Sequence, residues 1–342
     1  MLKYFEELCS LNGVSGDEGN VRDYIKEIAE KYADKVTVDA LGNLIVFKKG
    51  EIRGTKLMIS AHMDEVGFMV EKITDDGYLK FGIVGGIDPR VILGRKVYVG
   101  PYAIPGVMGL KAIHLTTAEE RKEMPKTSSL YIDIGCKNKK EAEKLVSLGD
   151  YVSFDSDFVC FGNNLVKAKA IDDRFGCAVM LNLLSRKLPQ DVTFVFTSME
   201  EVGTRGAFGA ANSVQPKIAL VLEGTTAADF AKVPENKKIT RVGEGPVLGF
   251  MDSSTVYDRG LFEMTRDLAE AKKIPWQIKG RIAGGTDAAA IQRSQTGIRV
   301  ANISVPVRNI HSANTVASLT DIDNAYKLTQ YFIKAVSEGK YK

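Results

Sequence analysis

The sequence predicts an α/β protein whose main domain is interrupted by a small β-rich module. Three observations lead there. At 342 residues the chain exceeds one ordinary core. It opens with a helical pattern followed by strand-like runs, and that alternation stops for a glycine-punctuated β-type stretch before it resumes. With 44% apolar and 26% charged residues the chain can bury a sizeable core.

After Gly16, the residues Val21, Tyr24, Ile25, Ile28, Ala29 and Tyr32 recur at helical spacing, with Ser15 or Asp17 placed to cap the first turn. Two β-type runs, 35–39 and 44–48, flank Leu41-Gly42-Asn43, and the apolar run Lys56 to Ser60 follows. From about Val70 to Phe161 short runs such as Tyr78 to Ile83 and Lys96 to Val99 dominate, with one helical stretch near Lys139 to Leu148, the texture of a small barrel or sandwich. Beyond Lys169 a helix is expected over Arg174 to Leu184, strands over Val192 to Thr197 and Lys217 to Leu222, and a long helix near Thr255 to Lys272. Thr286 caps the run Asp287 to Arg293, strand Arg299 to Val305 follows, and Thr320 with Asp323 forms a capping box for the last helix. These readings divide the chain into a main domain, residues 1–69 and 162–342, and an insert, residues 70–161.

The charge pattern and the cysteines exclude several classes of function. Lys and Arg number 46 against 43 acidic residues, and the net charge of +3 is spread along the chain, so nucleic acid is not an expected partner. Cys9, Cys136, Cys160 and Cys177 lie far apart without a C-x-x-C pair and read as reduced thiols with no chemistry. No stretch reaches the length of about 18 apolar residues that a membrane span needs, and the start of the chain lacks an apolar signal core. A cytoplasmic address is expected. The Gly243-Glu-Gly245-Pro246 run carries Pro246 and no following helix, which breaks a dinucleotide-binding pattern.

The chemistry shows where acids and histidines fall relative to the strands. Strand Lys56 to Ser60 runs into Ala61-His62-Met63-Asp64, Val192 to Thr197 into Ser198-Met199-Glu200-Glu201, Lys217 to Leu222 into Glu223, and Arg299 to Val305 through a short loop to His311. Ligands of open α/β sheets bind outside the carboxyl ends of the strands, so these side chains should face one crevice, joined by Asp172-Asp173 at the start of a helix. Two imidazoles among carboxylates suit zinc or cobalt, with manganese a further possibility. One catalytic zinc takes about three protein ligands. The larger set here is what two ions roughly 3.5–4 Å apart need, with Asp172 as the bridge. Adjacent residues of an extended segment face opposite ways, which gives Glu200 and Glu201 different roles, one as ligand and one as general base to the attacking water. Asp64 falls on the same side of the chain as His62, where it would accept the ring N–H and fix the tautomer.

Taken together, Ala61-His-Met-Asp-Glu-Val-Gly67, Ile171-Asp-Asp-Arg-Phe-Gly176, Ser198-Met-Glu-Glu-Val-Gly203 and Ile310-His-Ser312 resemble the glutamyl and deblocking aminopeptidase family, the tetrahedral or TET aminopeptidases, some of which carry cellulase or endoglucanase labels. The likeness runs from Gly13-Val-Ser-Gly16 through Gly284-Gly-Thr-Asp287 to the final helix. The resemblance implies a mixed-sheet, phosphorylase/hydrolase-like metallopeptidase domain carrying an inserted β-barrel that mediates dimerisation, with dimers assembling into dodecamers. It implies that His62, Asp172 and Glu223 hold one divalent ion, that Asp172, Glu201 and His311 hold the other, that Glu200 is the general base and that Asp64 orients His62. Many members have Asp where this chain has Glu223. The implied reaction is removal of N-terminal residues from peptides by a water shared between the two metals.

Plainer roles stand beside these. His114, inside the insert, reads as a polar residue with satisfied hydrogen bonds, Asp173 as a helix cap or structural support, and Gly284 to Asp287 as a turn and cap. Three rival functions share the pattern: a cellulase-type glycoside hydrolase, an amidohydrolase or deacylase of small acylated substrates, and a binding protein that has kept the scaffold. Glycosidases work with a spaced carboxylate pair and no histidine ligands, which argues against the first.

Overall fold

The computed structural model describes residues 1–341. Helices α1 (Leu2–Ser10) and α2 (Gly19–Ala29) precede strands β1 (Lys35–Val38), β2 (Leu44–Lys48) and β3 (Ile52–His62). Strands β4 (Gly67–Ile73), β5 (Leu79–Val84), β6 (Lys96–Val99), β7 (Ile104–Gly109), β8 (Tyr131–Asp133) and β9 (Tyr151–Phe154) close into an antiparallel barrel in the order β4-β5-β8-β7-β6-β9, with helix α3 (Lys139–Ala142) between its last two strands. Strands β10 (Val159–Phe161) and β11 (Leu165–Ala168) then lead into α4 (Ile171–Leu184), β12 (Gln190–Thr197), α5 (Arg205–Val214) and β13 (Ile218–Thr226). The chain ends with β14 (Val247–Leu248), α6 (Arg259–Ala271), β15 (Gln277–Ile278), α7 (Asp287–Gln292), β16 (Arg299–Val307), β17 (Thr315–Ser318) and α8 (Leu319–Ser337).

The main sheet has eight strands in the order β1-β2-β12-β3-β13-β16-β14-β15. Its four central strands, β12, β3, β13 and β16, are parallel, and β2 and β14 join them antiparallel. These strands read as continuous apolar runs because both faces are covered. Leu57 and Ile59 of β3, Phe194 and Phe196 of β12 and Leu220 and Leu222 of β13 join the core under α1, α2, α4, α6 and α8. The alternate residues Met58, Val195, Ala219 and Val221 pack under α5 and α7, as a period of two requires. A third core, including Phe68, Phe81, Val97, Ile132, Val152 and Phe154, fills the barrel. The mixed sheet and the closed barrel are the architecture expected from the sequence.

Several local expectations are corrected. Neither Ser15 nor Asp17 caps α2: the cap position is Glu18, and the Ser15 hydroxyl donates instead to Asp64 Oδ2 at 2.6 Å. The last helix begins at Leu319 with Ser318 as its cap, accepting from the Asp321 N–H, so the Thr320–Asp323 capping box does not form. The helical stretch near Lys139 to Leu148 shrinks to the four residues of α3, and α6 starts at Arg259 behind an Asp258 cap and not at Thr255. Strand β13 runs past Leu222 to Thr226, because its ladder with β16 continues to the Thr226↔Val307 pair while its pairing with β3 ends at Val221↔Ser60. That divergence opens a gap at the sheet's carboxyl edge beside Glu223.

Phe194 is fully buried in the largest core. Phe194→Ala is expected to lower unfolding stability by about 3–5 kcal/mol, read as a lower urea midpoint at unchanged slope. A loss under about 1 kcal/mol would contradict this account of the core.

Candidate metal centre

The crevice lies where β3, β12, β13 and β16 end. His62 is the last residue of β3, paired across the ladder with Thr197, the last of β12. Glu223 lies within β13, paired with Ser304. Asp172 sits in the non-helical start of α4, where the Asp172–Asp173 peptide is cis. His311 follows β16 in a loop that turns through left-handed conformations at Asn309 and at His311 itself.

These side chains meet as two triads that share one carboxylate. His62, Asp172 and Glu223 form the first, and Asp172, Glu201 and His311 the second, with the donor atoms of each within 4.8 Å of one another. His62 Nε2 lies 3.2 Å from Glu223 Oε1 and 3.4 Å from Asp172 Oδ1. His311 Nε2 lies 3.2 Å from Glu201 Oε2 and 3.8 Å from Asp172 Oδ2. Each oxygen of Asp172 therefore faces one imidazole, the arrangement of a bridging carboxylate.

Both imidazoles are held from behind. His311 Nδ1 is 2.8 Å from the Gly86 carbonyl, in the loop after β5 of the barrel, so its Nε2 is left to face the acids. His62 Nδ1 is 3.1 Å from the carbonyl oxygen of Asp64 and 3.4 Å from its carboxylate. The carboxylate of Asp64 accepts the Glu200 N–H at Oδ1 (3.0 Å) and the Glu201 N–H at Oδ2 (3.1 Å). Asp64 thus serves the ring chiefly through its carbonyl and the acidic turn through its side chain.

That turn is not the extended segment expected from sequence, since Met199 is left-handed. Four successive N–H groups are each held by a side chain: Ser198 by Asn43 Oδ1 at 2.9 Å, Met199 by Glu18 Oε1 at 3.0 Å, and Glu200 and Glu201 by Asp64. Glu201 reaches His311, and neither acid pairs with Arg205 or Lys217 among the described residues. Asp172 Oδ1 also accepts the Gly224 N–H at 2.8 Å, and a Cβ on Gly224 would stand 2.6 Å from the Asp172 carboxyl carbon. Asp173 turns away from the triads: its carboxylate accepts the His62 and Gly176 N–H groups, each at 3.2 Å, and so joins the end of β3 to α4. His114 is exposed in the insert, away from both triads. Cys9 and Cys177 are buried free thiols, the latter donating to the His62 carbonyl, while Cys136 and Cys160 are free as well.

Burial drives the electrostatics of the crevice. It raises Glu201 and Glu223 well above the ordinary carboxylate range, each reinforced by Asp172, and raises Glu200 likewise, reinforced by Asp287 and Glu201. Asp287 is pushed to about 6 by burial, although the Thr197 hydroxyl donates to it at 2.6 Å. Burial also opposes charge on His62 and on Asp172. Even so, Glu223, Asp172 and Asp64 hold the His62 imidazole well above its usual range, and His62 and His311 hold Asp172 below its own. Surplus buried negative charge of this kind calls for cations. His62 Nε2 and Glu223 Oε2 are buried without a hydrogen-bond partner, as donor atoms awaiting an ion are. Each triad has the donors to hold a divalent ion.

The model of the M42 glutamyl aminopeptidase family matches residues 42–328. The chain belongs to this family. M42 members are peptidases, so peptide hydrolysis is the activity class of the chain. A putative aminopeptidase of Acetivibrio thermocellus is 37% identical over 331 residues, covering 96% of this chain and 97% of that protein. The structure of an aminopeptidase from the archaeon Desulfurococcus kamchatkensis superimposes with a TM-score of 0.94 at 34% identity, covering 99% of this chain and 97% of that one. The TET1 peptidase of Pyrococcus horikoshii, described as assembling into a tetrahedron or a large octahedral shell, matches with a TM-score of 0.84 at 34% identity, covering 96% and 98% of the two chains.

Sequence reasoning missed the residues that hold the M42 site from outside it: Glu18, Asn43, Gly86 and Gly224. Of these only Gly224, directly after Glu223, carried a local signal. Gly224→Ala is expected to displace the Asp172 carboxylate and weaken divalent-metal affinity by about 10- to 100-fold, measured by titration calorimetry on a variant whose circular dichroism is unchanged. Wild-type affinity would contradict the role given to that contact.

Proposed function

We propose that the chain is a dinuclear metallo-aminopeptidase that releases N-terminal residues from peptides. The observation that carries this reading is the pair of His and carboxylate triads sharing Asp172. His62, Asp172 and Glu223 would hold one ion and Asp172, Glu201 and His311 the other, with zinc or cobalt, then manganese, best suited to mixed imidazole and carboxylate donors. Two such ions supply Lewis acidity toward the scissile carbonyl and lower the pKa of water toward about 7.

Glu200 is the general base in this reading. It takes a proton from the attacking water as the oxygen bonds to the carbonyl carbon, and returns it to the nitrogen of the leaving amine as the C–N bond breaks. Burial raises its pKa above the ordinary carboxylate range, the direction that favours taking up a proton. Asp64 holds the turn that carries both acids through the Glu200 and Glu201 N–H groups. The imidazoles in both triads speak against a glycosidase, which needs two carboxylates flanking a sugar.

Residues 1–69 and 162–342 make the catalytic domain in this proposal, and 70–161 an inserted module for dimerisation. Likeness to TET1 structures described as a dodecamer and as a tetrahedron or octahedral shell supports a homo-oligomer, which we take to be dimers assembled into a tetrahedral dodecamer. No helix among the described residues is long and apolar enough to cross a membrane, and we place the enzyme in the cytoplasm.

Glu200→Gln should lower kcat by about 100- to 10,000-fold while the protein keeps the wild-type metal content. Near-normal turnover in a fully loaded variant would overturn the assignment of the base. A peptide with a free N-terminus should lose its first residue, and the same peptide acetylated there should not. Cleavage of the acetylated amide alone would favour the deacylase reading.

A further inference from the structure

Among the described residues, Lys169 and Arg174 are the only lysine or arginine side chains buried below a tenth of their surface, and both converge on Glu65. Lys169 Nζ donates to Glu65 Oε1 at 2.8 Å and to Asn12 Oδ1 at 2.7 Å. The same Glu65 oxygen accepts the Gly13 N–H at 3.0 Å and lies 3.6 Å from Arg174 NH2. Arg174 donates through NH1 to the Leu8 carbonyl at 2.7 Å, while its Nε and NH2 have no hydrogen-bond partner. Nothing in the proposed chemistry uses these groups.

Their places in the chain are specific. Glu65 directly follows Asp64, which holds the Glu200–Glu201 turn, and stands three positions after His62. Lys169 stands three positions before Asp172, the shared carboxylate, at the end of the segment leaving β11. The pair therefore joins two backbone segments that deliver ligands to both triads. A small pocket lined by Glu65, Lys169, Asp172, Glu201 and His311 among others lies where the pair meets the triads. Buried ion pairs can often be replaced by apolar residues without loss of stability, so a pair retained at this point is better explained by placement than by fold strength.

We infer that Glu65 and Lys169 are positioning residues whose buried ion pair fixes the separation of the His62 and Asp172 segments, and with it the geometry of both metal triads. This rests on the dinuclear reading of the site. The pair acts through the backbone, touching neither ion nor substrate.

The test compares wild type with Lys169→Met and Glu65→Gln by calorimetric titration of the metal-free full-length protein with zinc, at a temperature well below each variant's unfolding midpoint. Positioning predicts that at least one variant, folded by circular dichroism, binds zinc about 10- to 100-fold more weakly, with kcat reduced more than KM is raised. A purely structural pair would lower the unfolding midpoint and leave zinc affinity within about twofold of wild type, and that result would overturn the inference. If Lys169→Met does not fold, Glu65→Gln decides, because it keeps the shape of the side chain and an oxygen for the Gly13 N–H. Wild-type protein that binds no zinc would instead overturn the metal reading itself, and the inference with it.

Discussion

The structure depends on one costly arrangement, the crowding of the buried Asp172 and Glu223 and the partly buried Glu200 and Glu201 carboxylates at one edge of the sheet. Unpaired carboxylates in such surroundings either take up protons or draw in cations. The two imidazoles are too few to balance the acids, and Asp64, Asp173 and Asp287 are buried nearby as well. Divalent ions would resolve the conflict, and ligands that must be deprotonated to bind them would tie metal affinity to pH. Chemistry and electrostatics therefore ask for the same occupants.

Holding that charge in one geometry falls to parts of the chain that carry no chemistry. Glu18, Asn43 and Asp64 fasten four consecutive N–H groups of the Ser198 to Glu201 turn. Gly224 and Gly86 approach Asp172 and His311 closely enough to fix them by backbone contacts. The barrel, through Gly86, is thus part of the setting of the candidate metal site. His62 and Glu223 stand on parallel strands of a sheet packed on both faces, while Asp172, Glu201 and His311 are carried on the turns at its carboxyl edge.

What could be read in the sequence followed from physical periodicity. The apolar runs of β3, β12, β13 and β16 marked strands of an α/β sheet, which the structure pairs in parallel, and the acids and histidines after them marked its carboxyl edge. What stayed hidden depended on tertiary partners. Ser15 resembles a helix cap in isolation, yet Asp64 draws its hydroxyl away. Thr320 and Asp323 resemble a capping box, yet Ser318 caps the helix two residues earlier, where β17 ends. The extended geometry assumed for Glu200 and Glu201 failed because Met199 turns left-handed under the grip of Glu18, a residue 181 positions away. No local pattern encodes such contacts.

The most direct test of the central claim is the metal-to-protein ratio of purified chain after equilibrium dialysis against zinc, compared with Asp172→Ala. Sharing of Asp172 by both triads predicts about two tightly held ions per wild-type chain and loss of both in the variant. A wild-type chain with no tightly held ion, or a variant that keeps two, would contradict it.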